Sequence, residues 1–350
     1  MFRQDRTNPS TAISNWRGRL DTLKGWPSTA VSTWLNGGLF GAAGIVDGAY
    51  WFGGSTALSS SIEKTVFATD ATATIAATLT EGMNSGGGFG NGQTAGYIAG
   101  NDWGTPNWGR DYIGKLTFVD DAYGLIVATL SEITWGDTGL ANSGTAGYYA
   151  GGQGRSGASS VILDKIDKLL FSNDSCGVIT PTLSQNVYYP TGAANSGTAG
   201  YWLGGTVASG TSRIDKTTFS DDTTADSGED LSAAGQYMSA MANSGTAAYS
   251  SIGLIDAGGG SKTVNKLVFS GEVVSNLGNL LDTTGYGTTS AGQKGSHGYF
   301  VGGYDSVAAA RIDTIEKLEF TGDTCAAVTP TLPSATGFQM PAACDIGMVS

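Results

Sequence analysis

One histidine, His297, limits the chemistry open to this chain. It sits in Gly295-Ser296-His297-Gly298. Transition-metal sites and nucleophile–base triads are mostly built on histidines, and a lone one reads as a structural or exposed residue. Carboxylate pairs are the next candidates. Asp120-Asp121 and Asp221-Asp222 have the residue types for glycosidic-bond cleavage or for calcium. Both pairs fall in a turn that follows a repeated Phe, where Asp side chains bond the nearby backbone, so turn chemistry accounts for them better. Cys176 and Cys325 occupy equivalent places ahead of Thr-Pro-Thr-Leu and read as small buried hydrophobes. A Cys325–Cys344 bridge stays open as an alternative. No phosphate loop, CxxC pair or nucleophile elbow occurs. The chain therefore reads as a non-enzyme, with no cofactor and no metal.

These residues are carried by a repeat of 47 to 53 residues. Six tyrosines mark it: Tyr50, Tyr97, Tyr148, Tyr201, Tyr249 and Tyr299, most running into a Gly pair such as Gly53-Gly54 or Gly302-Gly303. A second signature follows, Ile62-x-Lys64-x-x-Phe67 in the first copy and Ile315-x-Lys317-x-x-Phe320 in the last. Its alternation suits a half-buried strand. A turn of Ser, Asp, Gly and Thr comes next, then a strand ending in Thr-Leu or similar, as at Thr129-Leu130. A small-residue run, Ala141 to Gly147, recurs letter for letter at Ala194 to Gly200 and reads as the fourth strand. Periods of this size mark propellers or solenoids. Four strands per copy, six times, predict an all-β, six-bladed β-propeller over residues 41–350. Small-residue runs occur both before the first Tyr, at Ala42 to Ile45, and near the C-terminus, at Ala342 to Ile346, which leaves two candidates to close the ring. The C-terminal one is expected to join the first blade and lock it, with the N-terminal one leading in from the tail.

The order of elements resembles the kelch repeat: small residues, Tyr-x-x-Gly-Gly, a short strand, then a Leu-ended strand. The outer-strand Trp of that pattern is missing, and Thr-Leu stands in its place. Copper oxidases with kelch propellers use two His ligands, which this chain lacks. Sialidase propellers use an arginine cluster and Asp boxes. Past the N-terminal segment only Arg110, Arg155, Arg213 and Arg311 remain.

Aromatics recur in the loop after each Leu-ended strand: Trp135, Tyr188 with Tyr189, Tyr237, Tyr286 and Phe338. The kelch resemblance implies that this loop enters the innermost strand at one face of the ring. It also brings the loops after the Gly pairs to that face. The longest such loop carries Trp103, Trp108 and Tyr112, and another carries Tyr304. Two readings stand side by side. The aromatics form a shallow platform that stacks on sugars or grips a protein, or they pack between blades.

Residues 1–40 do not fit the repeat. Ile13, Trp16, Leu20 and Leu23 fall at helical spacing, Ser10 or Thr11 offers a cap, and Gly25-Trp26-Pro27 offers a stop. With Trp34 close behind, this segment reads as a short helical or extended anchor that docks on a partner, or that packs under its own propeller. The net charge of −12 is unevenly spread, since residues 1–24 are basic and the rest correspondingly more acidic. An acidic propeller repels nucleic acid and anionic lipid. No run of about 18 apolar residues suggests a membrane span, and the N-terminus lacks a basic-then-apolar signal-peptide pattern.

Close-copied repeats of the form Gly-Tyr-x-x-Gly-Gly with Ile-x-Lys-Leu-x-Phe-Ser-x-Asp also resemble propellers in structural proteins of tailed bacteriophages. That resemblance implies a non-enzymatic virion component of tail-fibre, baseplate or decoration type. Its residues 1–40 would hold other virion proteins, in an oligomeric assembly, and its propeller would meet a host-surface glycan or protein. A virion protein leaves by lysis and needs no signal peptide. The alternatives are a cytoplasmic kelch-type protein-binding adaptor and, third, a glycan-active propeller enzyme.

Overall fold

The computed structural model describes residues 48–54, 59–101, 109–156, 159–255, 259–329, 331–333 and 342–345. The expected anchor, residues 1–40, lies outside the described residues, as do Trp103, Trp108 and Phe338. All regular structure among the described residues is β-strand, in antiparallel sheets.

Six sheets contain the same four-strand unit, numbered 1 to 6 in the order of their tyrosines. Sheet 3 shows it plainly. The inner strand Thr138–Asn142 turns into the tyrosine strand Ala146–Ala150, which pairs with Ile166–Leu170 and then with the outer strand Ser175–Val178. The run Ala141–Gly147 is thus not one strand. Asn142 and Thr145 close a tight turn, with Gly144 at φ +79°, and the run is divided between two strands. Gly at that φ carries no side-chain penalty.

The inner strands of sheets 2 to 6 are Gly87–Asn91, Thr138–Asn142, Thr191–Asn195, Ala240–Asn243 and Thr289–Gln293. In sheet 1 the inner strand is Ala342–Asp345, from the far end of the chain. It pairs antiparallel with Gly48–Phe52, setting Ala49 opposite Asp345 and Phe52 opposite Ala342. The expectation that the C-terminal copy joins the first sheet is met. Each inner strand lies beside the next, and Ala342–Asp345 lies beside both Thr289–Gln293 and Gly87–Asn91.

Every tyrosine strand is buried along its whole length. Such a strand needs apolar residues on both faces, which explains why these segments read as continuous apolar runs instead of alternating ones. A size rule governs how the sheets approach. A Cβ on Gly147 would meet the Phe89 ring at 2.0 Å, on Gly200 the Leu140 side chain at 2.6 Å, and on Gly298 the Met241 sulfur at 2.0 Å. Each large residue is the one opposite the tyrosine in the preceding inner strand. Where that residue is Ala193 or Ala291, the facing position is Ala248 or Ala49, within the same buried cluster. Large meets Gly and Ala meets Ala, as close packing requires.

Candidate functional site

The carboxylates singled out in the sequence have structural partners. Asp120 caps its own turn, accepting from the Thr117 hydroxyl and the Ala122 amide. Asp221 does the same for Thr223. The residue after each is different: it leaves its own sheet and binds the preceding one. Asp121 meets Tyr50 and Lys64, Asp174 meets Tyr97 and Lys115, and Asp222 meets Tyr148 and Lys168. Glu272 meets Tyr201 and Lys216, Asp323 meets Tyr249 and Lys266, and Asp70 meets Tyr299 and Lys317. The last contact joins sheet 6 to sheet 1.

All six acids adopt φ between +50° and +57°, a region that Asp and Asn tolerate better than most residues. Each tyrosine ring also stacks on the Phe of the next sheet, with centroids 5.0 to 5.6 Å apart. In five of the six, the Lys ammonium lies within 6 Å of its tyrosine ring centre, a cation–π distance. Burial, then the hydrogen bond to the carboxylate, pushes the phenols of Tyr97, Tyr148, Tyr201, Tyr249 and Tyr299 well above the usual tyrosine range. Burial opposes ionisation of Glu272, but the hydrogen bonds from Lys216 and Tyr201 hold it below the usual range. These acids form an inter-sheet latch.

A second device spans four of these seams. The residue between Ile and Lys of the signature reaches back to the loop after the preceding Leu. Asp167 accepts from Ser131 N and Oγ, Asp215 from Ser184 N, Asn265 from Ser232 N, and Glu316 from Asp282 N and Thr283 N. Burial raises the Asp167 carboxyl and pushes Glu316 up to about 7.

The candidate aromatics converge at the opposite end of the strands from the latch turns. Trp135, Tyr188 and Tyr286 share one register position, each opposite the residue that follows the next Gly pair. Trp135 faces Gln153, Tyr188 faces Thr206 and Tyr286 faces Tyr304. The two loop sets therefore pair at these three places. Tyr189 and Tyr237 occupy the next position, which sister sheets fill with Ser85, Gly136 and Gly287. All five residues there have positive φ, with Tyr189 at +53° and Tyr237 at +52°. A bulky side chain in this region costs on the order of 1 kcal/mol or more. Backbone bonds run between these residues, from Gly136 N to Ser85 O, Tyr189 N to Gly136 O and Gly287 N to Tyr237 O.

The result is a row of five rings. Tyr188 and Tyr189 lie 3.9 Å apart, Tyr189 and Tyr237 4.6 Å, Tyr237 and Tyr286 6.0 Å, and Tyr286 and Tyr304 5.4 Å, each pair tilted by 40° to 47°. The Tyr189 hydroxyl meets Ser85 Oγ at 3.1 Å. Burial, then the Tyr189 phenol, raises Tyr188 far above the usual range. The row is not uniformly presented. Trp135 and Tyr189 are 4% and 2% exposed, so they pack beneath the face. Tyr188, Tyr237, Tyr286 and Tyr304 are half-buried and form the reachable part. Tyr112 is half-buried in the strand Arg110–Thr117, hydrogen-bonded to Asn101 and near Glu81.

A cavity of about 90 Å³ runs between the inner strands, walled by Gly, Ala, Met, Thr and Ser. Asp137 stands at its edge in the slot that sister sheets fill with Pro190 or Met238. Both its oxygens are sealed and accept no hydrogen bond from another residue. Burial, then Asp167, raises this carboxyl well above the usual range. Among the described residues, no three His, Cys, Asp or Glu side chains converge as a metal site. Cys176 and Cys325 are free thiols in outer strands, pushed up to about 12 by burial. His297 is buried between Ser296 and Tyr299.

The latch could have been found in the sequence, because an acid follows every signature Lys by six residues. No helix among the described residues is long and apolar enough to cross a membrane. A scan against protein-family models matches none, and a search of curated proteins finds no significant match.

Proposed function

We propose that the six sheets are blades of a closed, kelch-like six-bladed propeller and that the chain is a non-enzymatic binding module. The ring reading is supported by the circular order of inner strands and by six latches that include Tyr299 to Asp70. The observation that carries the binding reading is the tyrosine row, with two rings held in a costly backbone conformation where sister sheets use Gly or Ser. Strain of this kind concentrates at functional sites. The rings offer apolar faces and hydroxyls together, which suits stacking on a saccharide. The likeness of the repeats to phage structural propellers makes a virion component that meets a host-surface glycan our preferred setting.

The test is binding of the full chain to a panel of neutral and acidic oligosaccharides. Tyr286→Ala and Tyr304→Ala are expected to weaken the best binder by about tenfold or more, corresponding to about 1–3 kcal/mol per stacked ring. Val127→Ser, on the exposed outer strand of sheet 2, should leave binding unchanged. If no oligosaccharide binds, or if the tyrosine variants bind like the parent, the glycan reading fails.

A further inference from the structure

The seam between sheets 6 and 1 differs from the other five at one position. Two residues ahead of the latch tyrosine, sheets 1 to 5 carry Gly48, Ala95, Ala146, Ala199 and Ala247, whereas sheet 6 carries His297. Its side chain is 6% exposed. Nε2 lies 2.9 Å from the Tyr299 hydroxyl and Nδ1 lies 2.7 Å from Ser296 Oγ. The ring also meets Phe67 of sheet 1 edge-on, at 5.7 Å.

The proton arrangement follows from these contacts. Tyr299 donates to Asp70, so its oxygen accepts from His297 Nε2–H. Nδ1 is then left to accept from the Ser296 hydroxyl. The neutral imidazole completes the chain Ser296, His297, Tyr299, Asp70. A second proton on Nδ1 removes the acceptor that Ser296 uses. It also adds a buried cation beside Lys317, which already shares Asp70 with Tyr299. The acids facing the ring are Asp70, already latched, and Glu319, directly opposite in the ladder and half exposed on its side chain.

We propose that His297 makes this seam an acid-sensitive latch, which opens before the other five on mild acidification. Burial, then Lys317, holds the imidazole below its ordinary range. As pH falls below the ordinary histidine value of about 6.5, the unfolded chain takes up a proton that the closed seam refuses. Stability at the seam is full above that value and declines as pH drops toward the folded value. The raised carboxyls of Asp167 and Glu316 act in the opposite sense, since acidification relieves their buried charge. A global melting curve would mix the two effects, so the readout must be local.

Amide hydrogen exchange of the full chain, corrected for intrinsic rates, gives that readout. Between about pH 7 and about pH 5, amides of Gly48–Phe52 and His297–Val301 should lose protection by about tenfold more than those of Ala146–Ala150 and Ala199–Leu203. His297→Ala, the residue of the sister sheets, and His297→Gln, which stays neutral, should both abolish this selective loss. Equal loss at all seams in the parent, or an unchanged selective loss in both variants, would overturn the proposal.

Discussion

Deleting residues 334–350 should cost roughly 4–8 kcal/mol of unfolding free energy, if two to three large side chains and one strand edge lose their cover. The deletion removes Ala342–Asp345, the inner strand of sheet 1. Tyr50, Trp51 and Phe52 are between 0% and 2% exposed in the intact chain. Without the partner strand their ladder edge is open, and open apolar edges pair between molecules. The shortened chain is therefore expected to melt at lower temperature, with less cooperativity, and to associate. Circular dichroism melts with light scattering check this. A truncated chain that melts like the parent and stays monomeric would mean that the strand contributes nothing to closure.

The second large effect is expected at the latch. Asp222→Ala should destabilise the protein by about 2–4 kcal/mol, the cost of leaving a mostly buried ion-pair partner unmatched, discounted for partial exposure. Asp222 accepts Lys168 at 2.7 Å and Tyr148 at 2.7 Å, and side-chain exposure at the ion pair is 21% and 25%. Alanine also tolerates φ +57° poorly. Asp222→Asn keeps the turn preference and loses only the charge, so it should cost about half as much. Urea unfolding of both variants, with Lys168→Met to complete a double-mutant cycle, separates turn strain from the pair. A loss below about 0.5 kcal/mol, the range of ordinary surface changes, would make the latch incidental.

Much of the architecture was legible because it rests on periodic residues. Tyr148, Lys168 and their counterparts recur in all six copies, and the spacing alone gave the strand order. The pairing of the C-terminal strand with sheet 1 was legible for the same reason, as a surplus copy of the inner strand. The latch was harder to read, because Asp222 sits next to turn residues in the sequence while its partners lie one repeat away. Local turn chemistry explained the residue fully and concealed its second role. Strand boundaries failed at Ala141–Gly147, where an identical letter pattern hides a turn that only the Ser-Gly pair betrays. Gly147 and Gly200 each match one large side chain, Phe89 or Leu140, contributed by the preceding sheet.

At the aromatic face, the recurrence of Trp135, Tyr188, Tyr189, Tyr237 and Tyr286 was visible and their convergence followed from it. Which rings are reachable was not. Neighbouring tyrosines 188 and 189 differ in exposure although both lie against Gly136, and the positive φ that Tyr189 shares with the half-buried Tyr237 does not by itself set it. No propensity marks a tyrosine for that conformation, so only the structure separates the packed rings from the presented ones.

The proposed closed ring is tested most directly by a cross-link between its two ends. Ala49 and Asp345 stand opposite each other in the ladder of sheet 1, and directly opposed residues on antiparallel strands lie within about 4.5–5.5 Å, a span a disulfide can bridge. Ala49→Cys with Asp345→Cys, in a Cys344→Ala background, should form one intramolecular bridge on mild oxidation, read by mass spectrometry of the peptide map. Both thiols remaining free and reactive in the folded monomer, or bridging only between molecules, would contradict the ring.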